Sequence, residues 1–307
     1  MTNIHPEFQY LNLLEKIINN GSERIDRTGV GTKALFGETL CFDLSEGFPA
    51  FTTKRVYWKT AFKEMLWMLK GKSKWGSGNP NIRDLLEQNV HIWSEWPHKK
   101  YVDETGDNIT LKSFEERILS DDAFASMWGD LGPVYGKQWR AWKTEDGREI
   151  DQISEVLEQI KNNPTSRRII FEGWNVGELE QMALPPCHKH YQFFVDPVKG
   201  TVSGSLVQRS ADTFLGVAFN VCNLALITTL IAEQTGYKPG EIVWYGLDVH
   251  VYLNHLDQVR EQLAREPKAF PKFVIKSKKK SLFDYTIDDL DLEGYDPHPA
   301  IKAPVAI

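Results

Sequence analysis

Cys187 follows two prolines and opens an apolar run, Pro-Pro-Cys-His-Lys-His-Tyr-Gln-Phe-Phe-Val (185–195), that reads as a strand. A thiol so placed is either a buried structural residue or a nucleophile, and the second role needs a neighbouring cation that favours the thiolate. Cations are available: Arg27 in a glycine-rich loop, Arg167 and Arg168 after Asn-Pro-Thr-Ser, and Arg209 in Gln208-Arg-Ser210-Ala-Asp212. Taken singly each is an ordinary surface charge. Brought together, they would hold one phosphate through planar, paired donors that stay charged. His188 is adjacent to Cys187, and adjacent strand residues face opposite sides, which argues against a Cys-His hydrolase dyad. Asp248-Val-His250-Val-Tyr252 alternates, so three polar groups share one face of an extended segment. They form either a hydrogen-bonding wall or a core network. Glu64 stands out as a carboxylate among Phe62, Met65, Leu66, Trp67 and Leu69.

The elements that must position these groups follow from periodicity and breakers. Helical spacing of apolar residues predicts helices over 7–19, 59–70, 150–162, 219–235 and 252–265, with a short helical island at 114–119. Strands are expected at 39–44, 193–195, 201–207, 241–245, 273–276 and 283–287, and loops at 27–32 and 129–140. No linker, repeat or low-complexity tract divides the 307 residues, so the expectation is one mixed α+β domain over 1–307, carrying a polar insertion at about 97–128.

The formal net charge of −6 argues against a surface built to neutralise a long nucleic acid, but leaves room for a local anion site. The longest apolar stretch, 221–232, contains Asn223, Thr228 and Thr229 and falls short of a membrane span. The start lacks the order of a secretory signal, and three cysteines without a CxxC pair suggest neither a disulfide framework nor a cysteine zinc site. A reducing cytoplasm is the expected location.

Many ordered motifs resemble the thymidylate synthase family. They are Asp-Arg-Thr-Gly-Val-Gly-Thr (26–32), Phe-Pro-Ala-Phe-Thr-Thr-Lys-Arg (48–55), Gly-Pro-Val-Tyr-Gly-Lys-Gln-Trp-Arg (132–140), Leu-Pro-Pro-Cys-His (184–188), Gln-Arg-Ser-Ala-Asp-Thr-Phe-Leu-Gly (208–216), Phe-Asn (219–220), Asp-Val-His-Val-Tyr-Leu-Asn-His (248–255) and Gly-Tyr-Asp-Pro-His-Pro-Ala-Ile-Lys-Ala-Pro-Val-Ala-Ile (294–307). The resemblance runs from about residue 7 to the end, interrupted at 97–128. It implies a mixed-sheet domain whose sheet packs back to back with its twin in a homodimer. It further implies that Cys187 adds to carbon 6 of the dUMP ring, with Arg209 favouring the thiolate. Arg27, Gln208, Arg209 and Ser210 would bind the nucleotide, joined at the phosphate by Arg167 and Arg168 from a partner subunit. His250 and Tyr252 would hold the deoxyribose, and Asn220 would read the uracil edge with one donor and one acceptor.

The implied one-carbon donor is methylenetetrahydrofolate, with no metal. Trp93, Trp96, Leu184, Asp212, Leu215, Gly216, Phe219, Ala306 and Ile307 match its binding surface, with Asp212 also in a catalytic role. Glu64 would organise proton transfer, and Tyr135 matches the tyrosine associated with removing the ring proton. The product would be dTMP with dihydrofolate, or 5-hydroxymethyl-dUMP with tetrahydrofolate if water reaches the exocyclic methylene before hydride. Trp93 and the Ala-Pro-Val-Ala-Ile end, which in the family folds over the site, favour hydride. Departures at Tyr57, Phe171-Glu172-Gly173, Lys189-His190, Ala218, Asn223-Leu224 and Leu247 keep the second product open. A silent homologue that only binds RNA or protein is a third reading, opposed by the presence of Cys187, Asn220 and the terminal residues.

Overall fold

A computed structural model describes residues 4–25 and 29–305. The chain divides into two compact units, one comprising 1–62, 159–169 and 187–307, the other 63–158 and 170–186.

The first unit is built on a mixed sheet. Its strands lie in the order Ser22–Arg24, Thr32–Asp43, Lys238–Tyr252, Thr201–Asp212, His188–Asp196. Thr201–Asp212 and Lys238–Tyr252 run parallel, and the other neighbours in that order are antiparallel. A parallel pair needs a crossover, and the helix Val217–Thr235 supplies it. Side chains alternate as the pleat requires: Val202, Gly204, Leu206 and Gln208 are buried while Ser203, Ser205, Val207 and Arg209 are half-exposed. Gly204 is required by the helix, since a Cβ there would lie 2.2 Å from Thr228 Oγ1. The helix ends at Gly236, whose φ of 80° is a left-handed cap. By length and composition this helix suits a membrane span, but 72% of its window is buried inside the protein, as in the core helix of a globular unit.

Between His188 and His190 the strand register shifts by one residue against Thr201–Asp212. Lys189 is the extra residue of a bulge, which reverses the inward and outward parity along the strand. Simple alternation would place His188 and Tyr191 on opposite faces, whereas both are buried. The expected strand at 283–287 is instead two short 3-10 turns, Leu282–Asp284 and Ile287–Asp289, and the strand follows at Leu290–Glu293. Thr286 and Asp289 close a capping box that holds the turn, a local bond that competes with extended pairing.

Glu7, fully buried, precedes the helix Phe8–Asn20. Its carboxylate accepts from Thr52 N and Oγ1 at 2.8 and 2.7 Å and from Thr53 N and Oγ1 at 2.8 and 2.6 Å. Four donors compensate the desolvation of one buried anion. In Glu7→Gln an amide N–H would face a backbone N–H, so stability is expected to fall by about 3 kcal/mol. A urea midpoint unchanged from the parent would contradict this.

The second unit is mainly helical. Where a loop is expected at 129–140 the helix Tyr135–Ala141 forms, because Tyr135, Gly136, Gln138 and Trp139 are buried and packing overrides weak local propensity. The single helical island expected in the insertion is three helices, Glu95–Thr105, Leu111–Ser120 and Asp122–Trp128. Thr110 and Asp121 cap the latter two, accepting from Ser113 N and Phe124 N. These helices share an aromatic core: Tyr101, Phe114, Phe124 and Trp128 meet with ring centroids 5.0–5.6 Å apart.

Candidate active site

In the first unit the sheet register places the thiol. Cys187 stands directly before the strand His188–Asp196 and is half-exposed. Its carbonyl accepts from Arg209 N at 2.9 Å. Cys187 and Arg209 are therefore cross-strand neighbours, continuing the His188–Gln208 pair, and such neighbours hold their Cβ atoms about 5 Å apart. Backbone pairing alone thus puts the Arg209 side chain at the strand position opposite Cys187. Arg167 and Arg168 are exposed on the turn that follows the helix Gln152–Asn162. Arg27 lies outside the described residues, as do Ala306 and Ile307.

Behind Cys187 runs a chain of directed hydrogen bonds. Trp244 Nε1 donates to Gln208 Oε1 at 2.8 Å. Gln208 Nε2 donates to Ser210 O at 3.0 Å and to Asn220 Oδ1 at 2.9 Å. Asn220 Nδ2 meets His188 Nε2 at 2.8 Å, and His188 Nδ1 meets Tyr191 Oη at 2.9 Å. Since Asn220 donates to Nε2, the neutral ring carries its proton on Nδ1 and gives it to Tyr191. Two bonds use half of the Asn220 amide, leaving one N–H and one lone pair for a ligand.

Burial pushes the His188 imidazolium down to about pH 4 for its half-titration, from an ordinary 6.5. His188 is thus a neutral hydrogen-bonding group beside Cys187 and is poorly suited to act as its base. Unfolded chains take up that proton first, so stability falls as pH drops from about 6.5 toward 4. The loss from this ring is expected to be roughly 3 kcal/mol. Urea unfolding across that range should show a flatter acid limb in His188→Gln, and equal slopes would assign the acid loss elsewhere.

Asp248, His250 and Tyr252 share one face of Lys238–Tyr252, as alternation requires, with Val249 and Val251 buried between them. Asp248 Oδ1 accepts from His250 Nδ1 at 3.1 Å and Oδ2 from Arg24 at 2.6 Å. The His250 bond, then Arg24, hold the Asp248 carboxyl below the usual carboxylate range despite partial burial. His250 Nε2 is thereby turned away from Asp248, and the Tyr252 ring packs against the imidazole at 5.4 Å. Arg24 was not singled out by the sequence; its only signal is a basic residue two positions before the glycine-loop motif.

Leu215, Gly216, Phe219 and Asn220 form a half-exposed face at the start of Val217–Thr235. Asp212 leads into it, its Oδ1 accepting from Phe214 N and Leu215 N at 3.0 and 3.1 Å. Its Oδ2 takes no hydrogen bond from the described residues, and a carboxylate oxygen there suits an N–H-bearing ring edge.

In the second unit Trp93 Nε1 donates to Glu64 Oε1 at 2.8 Å, which orients the carboxylate. Trp93 also packs against Trp67, Trp96 and Tyr135 with centroids 5.8, 5.5 and 5.9 Å apart. Sequence residues 64, 93, 96 and 135 thus meet in one cluster, and Leu184 is half-exposed in the same unit. Among the described residues no group of three or more His, Cys, Asp or Glu side chains is placed to hold a metal ion.

The family model described as thymidylate synthase matches residues 8–307. The chain belongs to the thymidylate synthase family. Proteins named thymidylate synthase from Rhodopseudomonas palustris (strain BisA53) and Rhizobium rhizogenes (strain K84 / ATCC BAA-868) are each 53% identical to it, over 304 and 311 residues. One from Sinorhizobium fredii (strain NBRC 101917 / NGR234) is 52% identical over 309 residues. Each alignment covers 99% of both chains. Membership in the thymidylate synthase family accounts for the coexistence of a strand-edge thiol, an opposed arginine and a fixed carboxamide in one unit.

Proposed function

We propose that this chain converts dUMP to dTMP, taking the carbon and the hydride from methylenetetrahydrofolate and leaving dihydrofolate. The observation that carries the reading is the Cys187–Arg209 cross-strand pair beside Asn220, within a family match spanning 8–307. Cys187 adds as thiolate to carbon 6 of the ring, and Arg209 stabilises that anion. Addition moves negative charge to carbon 5 and the carbonyl oxygen, so carbon 5 attacks the folate-borne carbon. Arg209 and Ser210, with Arg27, hold the phosphate; His250 and Tyr252 hold the sugar; Gln208 and Asn220 fix the base. In the first unit we assign Asp212, Leu215, Gly216 and Phe219 to the folate, with Ala306 and Ile307; in the second unit Trp93, Trp96 and Leu184 are the residues the resemblance assigns to it. Glu64 moves protons at the ring carbonyl and Tyr135 assists loss of the carbon-5 proton.

We assign a homodimer to the same reading. Phe194 and Tyr245 lie on the sheet face that carries no helix, 67% and 42% exposed, beside half-exposed Val207 and Val243. An apolar sheet face left open favours a second copy, and exposed Arg167 and Arg168 are the groups we assign to the partner's phosphate site. Three cysteines without a CxxC pair support a cytoplasmic setting. The relatives' names do not favour the hydroxymethyl product. Mass spectrometry of the reaction decides: dTMP gains CH2 over dUMP with dihydrofolate formed, whereas a gain of CH2O with tetrahydrofolate would refute methylation.

A further inference from the structure

An amide side chain that reads a pyrimidine has a difficulty built into its shape. Uracil offers a carbonyl acceptor beside a ring N–H donor, and cytosine offers an amino donor beside a ring-nitrogen acceptor. Turning the Asn220 carboxamide by half a turn exchanges its own donor and acceptor at almost no steric cost, and converts a uracil reader into a cytosine reader. Selectivity therefore depends on whatever forbids that turn.

The His188 end of the hydrogen-bond chain does not forbid it. An imidazole with its proton on Nδ1 accepts from Asn220 Nδ2, and with its proton on Nε2 it would donate to Asn220 Oδ1. Tyr191 Oη serves either tautomer, because a hydroxyl both gives and accepts. The opposite end is different. Gln208 Oε1 faces the indole N–H of Trp244, which only donates, and Gln208 Nε2 faces the carbonyl of Ser210, which only accepts. Those two groups fix which end of Gln208 points at Asn220, and Gln208 Nε2 then demands an oxygen from Asn220. Trp244 is fully buried and lies two residues beyond Asn220 in the chain of contacts, with Gln208 between them. We propose that Trp244 is a specificity-determining positioning residue: acting through Gln208, its indole N–H holds the Asn220 amide in the orientation that accepts uracil and rejects cytosine. The inference deepens the proposed function and rests on Asn220 contacting the base.

The test is calorimetric binding of dUMP and dCMP, with kcat/KM for each in the presence of methylenetetrahydrofolate. In Trp244→Phe the dUMP over dCMP binding ratio is expected to fall about three- to tenfold, the shift that losing one neutral hydrogen bond supports, with the Ser210 carbonyl then the sole anchor. The same replacement in a Gln208→Met background is expected to leave the ratio where Gln208→Met alone puts it, since the relay is already cut. If the phenylalanine variant does not fold, benzothienylalanine at position 244, with sulfur in place of N–H at nearly equal volume, carries the same prediction. An unchanged ratio, with or without a uniform loss of affinity for both nucleotides, overturns the role of Trp244. Asn220→Asp separates the two failures: a ratio that moves there but not in the Trp244 variants sinks the relay alone, and a ratio that moves in neither sinks the base contact and the relay with it.

Discussion

Cys187→Ala is expected to lower dTMP formation by at least about 10⁴-fold, while dUMP binds within a few-fold of the parent affinity. The size of the loss follows from the role assigned to the sulfur. Without it no bond forms at carbon 6, carbon 5 never becomes nucleophilic, and no other group in the first unit substitutes for that step. Binding survives because Arg209, Ser210, His250 and the Asn220 amide are held by the sheet and by the Trp244–Gln208 chain, none of which uses the thiol. Comparing single-turnover rates with dUMP titration separates the two effects. Turnover at the parent rate would refute covalent catalysis, and loss of dUMP binding in a folded variant would show that the thiol also builds the site.

Asn220→Asp is expected to shift the ratio of dUMP to dCMP affinity by about 10²-fold toward dCMP. A carboxylate keeps the acceptor that Gln208 Nε2 requires, so the buried side of the residue remains satisfied. Toward His188 the imidazole can move its proton to Nε2 and donate, with Tyr191 supplying Nδ1 in turn. The energetic change is therefore concentrated at the nucleotide, where an N–H that met the uracil carbonyl is replaced by an oxygen that repels it and welcomes an amino group. Competition between the two nucleotides measures the shift; unchanged selectivity would remove Asn220 from base recognition.

Much of this site was legible in the residues themselves. The motif around Cys187, the Gln208–Asp212 run and the alternating Asp248–Tyr252 segment fall on neighbouring strands of one sheet, and Glu64, Trp93 and Tyr135, each singled out in the sequence, meet within the second unit. The core helix and its glycine stop were visible as an apolar run ended by Gly236. What could not be read depended on contacts distant in sequence. Trp244 and Gln208 are 36 residues apart, and neither composition nor spacing says that their side chains meet. The helix Tyr135–Ala141 hides in a glycine- and proline-containing stretch because burial, not propensity, stabilises it. Tyr191 was paired with His188 by a bulge, and strict period-two reading points the two apart.

That one extra residue has a further consequence for how the sheet tolerates change. A slip of register along a strand would normally carry every pair with it and send alternate side chains to the wrong side. Here the irregularity at Lys189 sits just past the Cys187–Arg209 rung, so it works like an expansion joint in a rail. Repacking toward Asp196 is expected to be taken up there, leaving the Cys187–Arg209 pair in register.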